Sequence, residues 1–204
     1  MEIRKIVLGE IEVNCYLLST ENAAVVIDCG YYSKEAEDFL NNNASKERLI
    51  ILTHGHFDHI GGAPLLRENT GVKIAVCEHD AEALKDPYLS YAAQFRQEIT
   101  PFTADILLED GETLKVGDIN FKVLNTPGHT SGSICLLCGK ILFSGDTLFC
   151  ESVGRTDIGG NWGELKKSLA MLMKLDDDVT VYSGHGPTTT IKHEKKFNPY
   201  IQYI

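Results

Sequence analysis

The chain has 204 residues, of which 43% are hydrophobic and 24% are charged, and this composition is that of an ordinary globular protein. Its formal net charge of −10 argues against polyanionic partners, so we expect neither nucleic acid nor an anionic membrane to bind it. It has no apolar run of bilayer-spanning length and no signal-peptide core near its start, which predicts one cytoplasmic domain over residues 1–204.

The first part of the chain predicts three strands, a helix and a buried strand. Strand-like runs occur at residues 2–8, 14–20 and 23–30, with short turns between them. Ser33 can cap a helix over residues 33–43, which carries acidic residues in its first turn. The apolar run 48–54 has the length of a strand that is covered on both faces.

The middle of the chain alternates between helical and extended patterns. Residues 59–71 are predicted to be helical and to end at a glycine, and a strand follows at residues 72–79. Residues 79–104 indicate short helices and loops. Strands return over residues 105–146, where an Asp-Gly pair and a Gly-Asp pair predict hairpin turns.

The last part of the chain repeats the order seen at the start. Asn161 can cap an amphipathic helix over residues 161–175, and a final strand and loop occupy residues 178–186. Strands precede a strand–helix–strand arrangement in both halves. We therefore predict a two-sheet sandwich with helices outside it, built from two related halves.

The six cysteines are predicted to be free thiols, because most of them lie in apolar segments and a chain of this size needs no disulfides. Cys135 and Cys138 form a C-x-x-C pair, a spacing that also occurs in redox and zinc sites. They lie on a predicted strand, where residues three apart point to opposite faces. We therefore interpret the pair as structural.

Three of the seven histidines and an aspartate stand within residues 54–59. A buried core offers no reason for this cluster, because unpaired imidazoles and a carboxylate are costly to desolvate. His54 and His56 can point the same way from an extended loop, and Asp58 and His59 follow at a predicted helix start. Neutral imidazoles and carboxylates are ligands for zinc, manganese and iron.

Three more candidates follow predicted strands, namely His129, Asp146 and His185. Taken alone, a histidine after a strand is more often a capping or surface residue than a ligand. Sites in sheet enzymes, however, gather where strand ends become loops. The seven side chains together are too many for one catalytic zinc, which takes three protein ligands. They fit two ions that share one carboxylate.

Four segments resemble the sequential motifs of the metallo-β-lactamase-fold hydrolases. They are THGHFDHIGG, TPGHTSGS, SGDTLF and SGHGP, in the expected order over residues 53–187. The resemblance implies an α/β fold of the four-layer αββα sandwich type. Within that superfamily, VGRTDIGGN at residues 153–161 and NPYIQ near the end resemble the short bacterial hydroxyacylglutathione hydrolases, or type II glyoxalases.

The resemblance also implies a role for each candidate residue. The first metal would be held by His54, His56 and His129, the second by Asp58, His59 and His185, and Asp146 would bridge them. Two divalent ions are implied, with zinc expected first and iron or manganese as alternatives. Asp58 would also orient the nucleophile. Asp28 would orient a ligand histidine from behind, although a turn-forming aspartate fits the same position.

The expected substrate is a small-molecule thioester of the hydroxyacylglutathione kind. Two close cations would lower the pKa of a shared water, and the resulting hydroxide would attack the carbonyl carbon. A thiol with a pKa near ~8.5 leaves as a thiolate without a general acid.

Arg155 and the segment 86–95, both near the expected site, each allow two interpretations. Arg155 could pair with a substrate carboxylate, or pair with Asp157 or Asp146 and shape its own loop, and the second is favoured. The aromatic segment 86–95 could form a pocket wall or lid, or a surface helix that packs Tyr88 and Phe95 inward.

Other functions of the same fold are alternatives. A mononuclear iron persulfide dioxygenase belongs to a related family that also has a G-R-T-D segment, but the complete set of seven candidates favours two ions. Lactone or phosphodiester hydrolysis is a further alternative, and the acidic balance disfavours a nucleic-acid substrate. A scaffold with a vestigial site would commonly have lost ligands. The oligomeric state, the metal in the cell and the acyl group are left open by the sequence.

Overall fold

The computed structural model describes residues 1–202 and residue 204. The first sheet comprises β1 (Glu2–Leu8), β2 (Val13–Ser19), β3 (Ala23–Ile27), β4 (Glu47–Ile51), β5 (Lys73–Cys77) and β6 (Ile106–Leu108), in that spatial order. The pairs β1–β2 and β2–β3 are antiparallel, and β3, β4, β5 and β6 run parallel to one another. The helices of this half are α1 (Lys34–Asn42), α2 (Phe57–Ile60), α3 (Ala63–Thr70) and a 3₁₀ helix (Glu78–Leu84).

The second sheet comprises β7 (Thr113–Val116), β8 (Ile119–Asn125), β9 (Ile134–Cys138), β10 (Ile141–Gly145), β13 (Thr180–Ser183) and β14 (Thr189–Thr190). Its spatial order is β14-β13-β10-β9-β8-β7. Among the described strands of this sheet, only β10 and β13 pair in parallel. A two-stranded ribbon is formed by β11 (Leu148–Phe149) and β12 (Ser152–Val153). The helices are α4 (Trp162–Leu172) and α5 (Ile191–Phe197).

The two sheets share one connection pattern, which confirms the prediction of two related halves. In the first half, the antiparallel strands β1, β2 and β3 are followed by α1 and the parallel strand β4. In the second half, the antiparallel strands β8, β9 and β10 are followed by α4 and the parallel strand β13.

Three apolar clusters hold the layers together, and β3 shows how. Val25 and Ile27 point into the cluster between the two sheets, together with Phe121 and Phe143 of the second sheet. Val26 points the opposite way, into the cluster beneath α1 and α3. A third cluster lies between the second sheet and the helices α4 and α5. The order of layers is therefore α, β, β, α, as the sequence predicts.

The helix ends follow from local chemistry that the sequence displays. The Ser33 hydroxyl accepts a hydrogen bond from the backbone N–H of Ala36, and the Asn161 side chain accepts one from Glu164. Gly71 ends α3 with a φ of 70°, a left-handed conformation that glycine adopts without strain.

Two predictions about local structure are wrong, and one helix was missed. The helix predicted over 59–71 is divided into α2 and α3, because Pro64 cannot donate to a preceding turn and stands in the first turn of a new helix. The Asp110-Gly111 pair does not close a hairpin: it lies between β6 of the first sheet and β7 of the second. Helix α5 was not predicted, although Thr190 caps it.

The cysteines are all free thiols in the described part of the chain. Cys135 packs in the cluster beneath α4, whereas Cys138 packs against the cluster between the sheets. The C-x-x-C pair therefore faces two sides of β9, as predicted. None of the helices in the described residues combines the length and apolarity that a bilayer-spanning segment needs.

Candidate metal centre

All seven candidate ligands lie at one edge of the sandwich, beyond the ends of strands from both sheets. They are His54, His56, Asp58, His59, His129, Asp146 and His185. The loop after β4 carries His54 and His56, helix α2 directly after it carries Asp58 and His59, and the loops after β8, β10 and β13 carry one each. All but His185 are buried, so polar and titratable side chains are concentrated at this edge away from solvent.

The first group consists of three imidazoles. His56 Nδ1 lies 2.8 Å from His129 Nε2, and His54 Nε2 lies 3.2 Å from the same atom. His129 Nδ1 donates a hydrogen bond to the carbonyl oxygen of Arg155 at 2.7 Å. A neutral His129 therefore has no hydrogen on Nε2, and its lone pair points into the group.

The orientation of His54 is set by a chain of hydrogen bonds. The Thr53 hydroxyl donates to Asp28 Oδ2 at 2.8 Å and lies 3.2 Å from His54 Nδ1. That hydroxyl can then only accept from His54 Nδ1, which leaves His54 Nε2 without a hydrogen. Two hydrogen-free nitrogens, those of His54 and His129, consequently face each other.

The second group combines one carboxylate and two imidazoles. Asp58 Oδ2 lies 3.2 Å from His185 Nε2 and 3.6 Å from His59 Nε2. His185 Nδ1 donates to the carbonyl oxygen of Ile11 at 3.0 Å, so its Nε2 faces the group. His59 Nδ1 lies 2.9 Å from Asp28 Oδ2. Asp28 thus contacts the ring nitrogen of His59 other than the one near Asp58, and its role in orienting that histidine stays a prediction.

Asp146 lies between the two groups. Its carboxylate oxygens are 3.5 Å from His129 Nε2, 3.3 Å from His59 Nε2 and 3.6 Å from His185 Nε2. The neighbouring backbone approaches closely, because a Cβ at Gly184 would lie 2.1 Å from Asp146 Oδ1 and 2.7 Å from His59 Cε1. Only glycine fits at position 184 while Asp146 keeps this place.

Burial and neighbouring charges divide the histidines into two classes. Burial lowers the pKa of His54, as do the neighbouring histidines, and burial lowers the pKa of His56 to about 3. Burial also opposes a charge on His59, but Asp146, Asp28 and Asp58 together raise its pKa. His54 and His56 are therefore neutral, the form in which imidazole binds a metal.

The donor set fits metal ions by its own chemistry. His59 Nε2 and Asp146 Oδ1 are buried without a hydrogen bond among the described residues, which is costly unless another group pairs with them. The facing lone pairs of His54 and His129 repel each other unless a cation lies between them. A tetrahedral zinc with nitrogens at about 2.0–2.1 Å separates them by about 3.3–3.4 Å, close to the 3.2 Å observed here.

A cavity of about 300 Å³ opens above these residues. Five of the seven candidates line it, and its walls are mostly apolar, with side chains such as Ile11, Phe149 and Ile158. Tyr91 and Phe95 also contribute to the wall, and the Tyr91 ring packs against that of His56 with centroids 5.4 Å apart. Two residues of segment 86–95 thus lie at the cavity wall, whereas Tyr88 is exposed rather than packed inward.

Arg155 lines the cavity, but its guanidinium is paired with Asp157 through two hydrogen bonds of 2.8 and 2.6 Å. This contact agrees with the favoured interpretation that Arg155 shapes its own loop. A substrate-binding role for Arg155 stays a prediction. The contact of its carbonyl oxygen with His129 was not foreseen, because backbone contacts leave no mark on the sequence.

A second residue that sequence reasoning missed is Asp80, a buried carboxylate in the 3₁₀ helix after β5. It accepts hydrogen bonds from Gly55, Thr130 and Gly132, which flank three of the candidate ligands. Burial raises the pKa of Asp80, and these three hydrogen bonds act in the opposite direction.

The sequence also matches a known protein family over most of its length. The model of the metallo-beta-lactamase superfamily matches residues 8–185. The chain belongs to this superfamily. Membership makes it a metal-dependent enzyme of the metallo-hydrolase type, and it confirms the resemblance seen in the motifs.

Two relatives span nearly the whole chain. The probable metallo-hydrolase YqgX of Bacillus subtilis is 32% identical, and the alignment covers 98% of both proteins. The hydroxyacylglutathione hydrolase GloC of Haemophilus influenzae is 34% identical, again over 98% of both.

Three solved structures share the fold at comparable identity. The B3 metallo-beta-lactamase BLEG-1 superimposes with a TM-score of 0.90 at 36% identity, covering 98% of this chain and 99% of that one. A di-iron form of TTHA1623 gives 0.86 at 32%, covering 97% and 99%. ETHE1 from Myxococcus xanthus gives 0.79 at 31%, covering 98% and 84%.

Proposed function

We propose that this protein hydrolyses a small-molecule thioester, using two divalent cations held by the seven candidate ligands, with zinc as the first candidate metal. The observation that carries the proposal is the cavity, which has the candidate metal ligands at its base and apolar walls above them. The similarity to the GloC hydroxyacylglutathione hydrolase over 98% of both chains supports a thioester of a glutathione-like thiol.

Each candidate ligand has a role in this proposal. His54, His56 and His129 would hold one cation and Asp58, His59 and His185 the other, with Asp146 between them. When bound, two such cations lower the pKa of a water and polarise a carbonyl group. The hydrogen bonds from His129 to Arg155 and from His185 to Ile11 fix the tautomers that aim each Nε2 at the site.

The remaining steps fall to Asp58 and the cavity walls. Asp58, at the base of the cavity, would accept a hydrogen bond from the attacking water and so orient it toward the carbonyl carbon. The apolar walls would receive the acyl group and exclude other water. The thiol departs as a thiolate because its pKa lies near ~8.5. The proposal therefore requires no general acid.

Turnover of S-lactoylglutathione by the zinc-loaded full chain tests the proposal. We expect saturable release of free thiol, which stops on chelation and is lost in His56→Ala. His79→Ala is a matched control, because His79 is an exposed histidine outside the seven candidates. If protein with two metals per chain releases no thiol from lactoyl, acetyl or longer acyl thioesters, the proposal fails.

A persulfide dioxygenase with one iron is the second candidate, favoured by the similarity to ETHE1 at 31% identity. That reading would use His54, His129 and Asp146 as ligands. The assembled group of Asp58, His59 and His185 supports two ions instead. One iron per chain together with oxygen uptake on a glutathione persulfide would reverse this order.

A further inference from the structure

Asp80 is a buried carboxylate that no step of the proposed reaction uses. Its side chain is at the start of the 3₁₀ helix, and the residue is only 4% exposed. Oδ2 accepts hydrogen bonds from the Gly55 N–H at 2.7 Å and from the Thr130 hydroxyl at 2.7 Å. Oδ1 accepts one from the Gly132 N–H at 2.9 Å. Both oxygens therefore act as acceptors for buried backbone donors.

These donors belong to two loops that come from different sheets. Gly55 lies between His54 and His56 in the loop after β4 of the first sheet. Thr130 and Gly132 follow His129 in the loop between β8 and β9 of the second sheet. The Asp80 carboxylate thus links, by hydrogen bonds, the two loops that carry the three-histidine group.

The loops are seated tightly against the 3₁₀ helix. A Cβ at Gly132 would lie 2.6 Å from Asp80 Cγ, and a Cβ at Gly55 would lie 2.6 Å from Ala83 Cβ. The backbone of both loops therefore lies directly against the 3₁₀ helix. Losing the Asp80 carboxylate would leave buried N–H groups without acceptors, which a folded chain avoids by moving its backbone.

The second group has a different support. Asp28 contacts His59 Nδ1 at 2.9 Å and accepts a hydrogen bond from the Thr53 N–H at 2.8 Å. The hydrogen bonds of Asp80 involve neither Asp58, His59 nor His185. Asp28 therefore reaches both groups, through His59 and through the Thr53 hydroxyl beside His54, whereas Asp80 is bonded only to the loops of the three-histidine group.

We propose that Asp80 is a positioning residue that sets the spacing of His54, His56 and His129, and with it the affinity of that group for its cation. The inference rests on the proposed metal centre and is independent of the thioester substrate. It predicts that a change at Asp80 weakens one of the two metal-binding steps and leaves the other unchanged.

Asp80→Asn in the full chain is the direct test. In either orientation of the amide, its NH₂ group would face a backbone N–H, of Gly55 or of Gly132, so one hydrogen bond is lost and replaced by repulsion. Metal-free wild type and variant are titrated with Zn²⁺ against a chromophoric chelator and with Co²⁺ by absorption. We expect one binding step to weaken about ten- to a hundredfold, as for other residues that support metal ligands.

Reference variants assign the two steps. His56→Ala removes a member of the three-histidine group, and His185→Ala removes a member of the second. The step and the cobalt spectrum altered in Asp80→Asn must match those altered in His56→Ala. Asp86→Asn is the control, because Asp86 accepts hydrogen bonds only within its own turn among the described residues.

If Asp80→Asn does not fold, two milder variants at Thr130 provide the same test. Thr130→Val removes the hydroxyl that donates to Asp80, whereas Thr130→Ser retains it. We expect a weaker first group in the valine variant and wild-type affinity in the serine variant.

Equal weakening of both steps in a folded Asp80→Asn protein would overturn the proposal, because it would indicate a general structural role. Unchanged affinity in both Asp80→Asn and Thr130→Val would also overturn it. A wild type that binds two metals but cleaves no thioester would refute the proposed function and leave this test intact.

Discussion

The two halves of the sandwich supply the candidate metal centre in different ways. The first half supplies four of the seven side chains from one continuous segment, residues 54–59, whereas the second supplies His129, Asp146 and His185 from three separate strand ends. Each group nevertheless takes two members from the first half and one from the second. The repeated architecture thus produces a site that neither half can complete alone.

The two halves also differ in what holds the side chains in place. The loop of the first half is held by the buried carboxylates of Asp28 and Asp80. The rings of His129 and His185 in the second half donate to backbone carbonyl oxygens, although Asp80 also accepts hydrogen bonds from the loop that carries His129. A point mutation removes a carboxylate but leaves a carbonyl oxygen, so we expect the first half to be more sensitive to changes behind the ligands.

The largest effect is expected for Asp146→Ala, which removes the one side chain of the second half that lies between both groups. We expect hydrolysis of S-lactoylglutathione to fall roughly a hundred- to a thousandfold or more, because the two cations that would activate the water and polarise the carbonyl would lose the ligand they share. The measurement is kcat/KM on S-lactoylglutathione together with zinc content. His56→Ala should be as severe, since the halves are interdependent. Near-wild-type rates in either variant would refute the site assignment.

Gly184→Ala should have the next largest effect. The added Cβ would meet Asp146 Oδ1 at 2.1 Å, so the carboxylate must move away from both groups. A misplacement of about 1 Å near the reacting atoms costs about a hundredfold in rate. We therefore expect kcat at saturating zinc to fall by about that factor. Gly163→Ala is the control, because there a Cβ would meet only the Asn161 side chain, at 3.1 Å. Equal activity in the two variants would mean that Asp146 tolerates displacement.

Asp28→Asn tests whether a candidate ligand that contacts a carboxylate, rather than a backbone carbonyl oxygen, depends on that contact for metal binding. Asp28 has a φ of 53°, and asparagine adopts this left-handed conformation readily, so the backbone is preserved. In either orientation the NH₂ group of the amide replaces one carboxylate oxygen: Oδ1, which accepts from the Thr53 N–H, or Oδ2, which accepts from the Thr53 hydroxyl and contacts His59 Nδ1. We expect zinc affinity to fall about tenfold or more, measured by chelator competition. Unchanged affinity would place Asp28 among the turn-forming aspartates.

The sequence predicts a residue of this site well when its partners are close to it along the chain, and poorly when they are far away. The cluster 54–59 is visible because its members are adjacent, and the strand ends become informative once two sheets are expected. Asp80 could not be found, because its partners Gly55, Thr130 and Gly132 lie 25, 50 and 52 residues away. Nothing in the segment CEHDAEAL distinguishes a buried acceptor from a surface acid.

The fold shows the same division between local and distant information. Caps at Ser33 and Asn161 were predictable, since capping depends on a few neighbouring residues. The Asp110-Gly111 pair has the local chemistry of a hairpin turn, yet it connects two sheets. The pair connects two sheets because β6 and β7 pack into different sheets. Turn propensity depends only on neighbouring residues, so it cannot predict this.

Arg155→Ala should have the smallest effect and is the sharpest check on backbone support. The substitution removes the exposed pair with Asp157 but keeps the carbonyl oxygen that accepts from His129. Exposed ion pairs contribute little, so we expect kcat and zinc affinity to stay within about twofold of wild type. A KM for S-lactoylglutathione that rises while kcat holds would instead assign the guanidinium to the substrate. A fall in zinc affinity would show that the carbonyl needs the side chain to keep its place, and the contrast between the two halves would disappear.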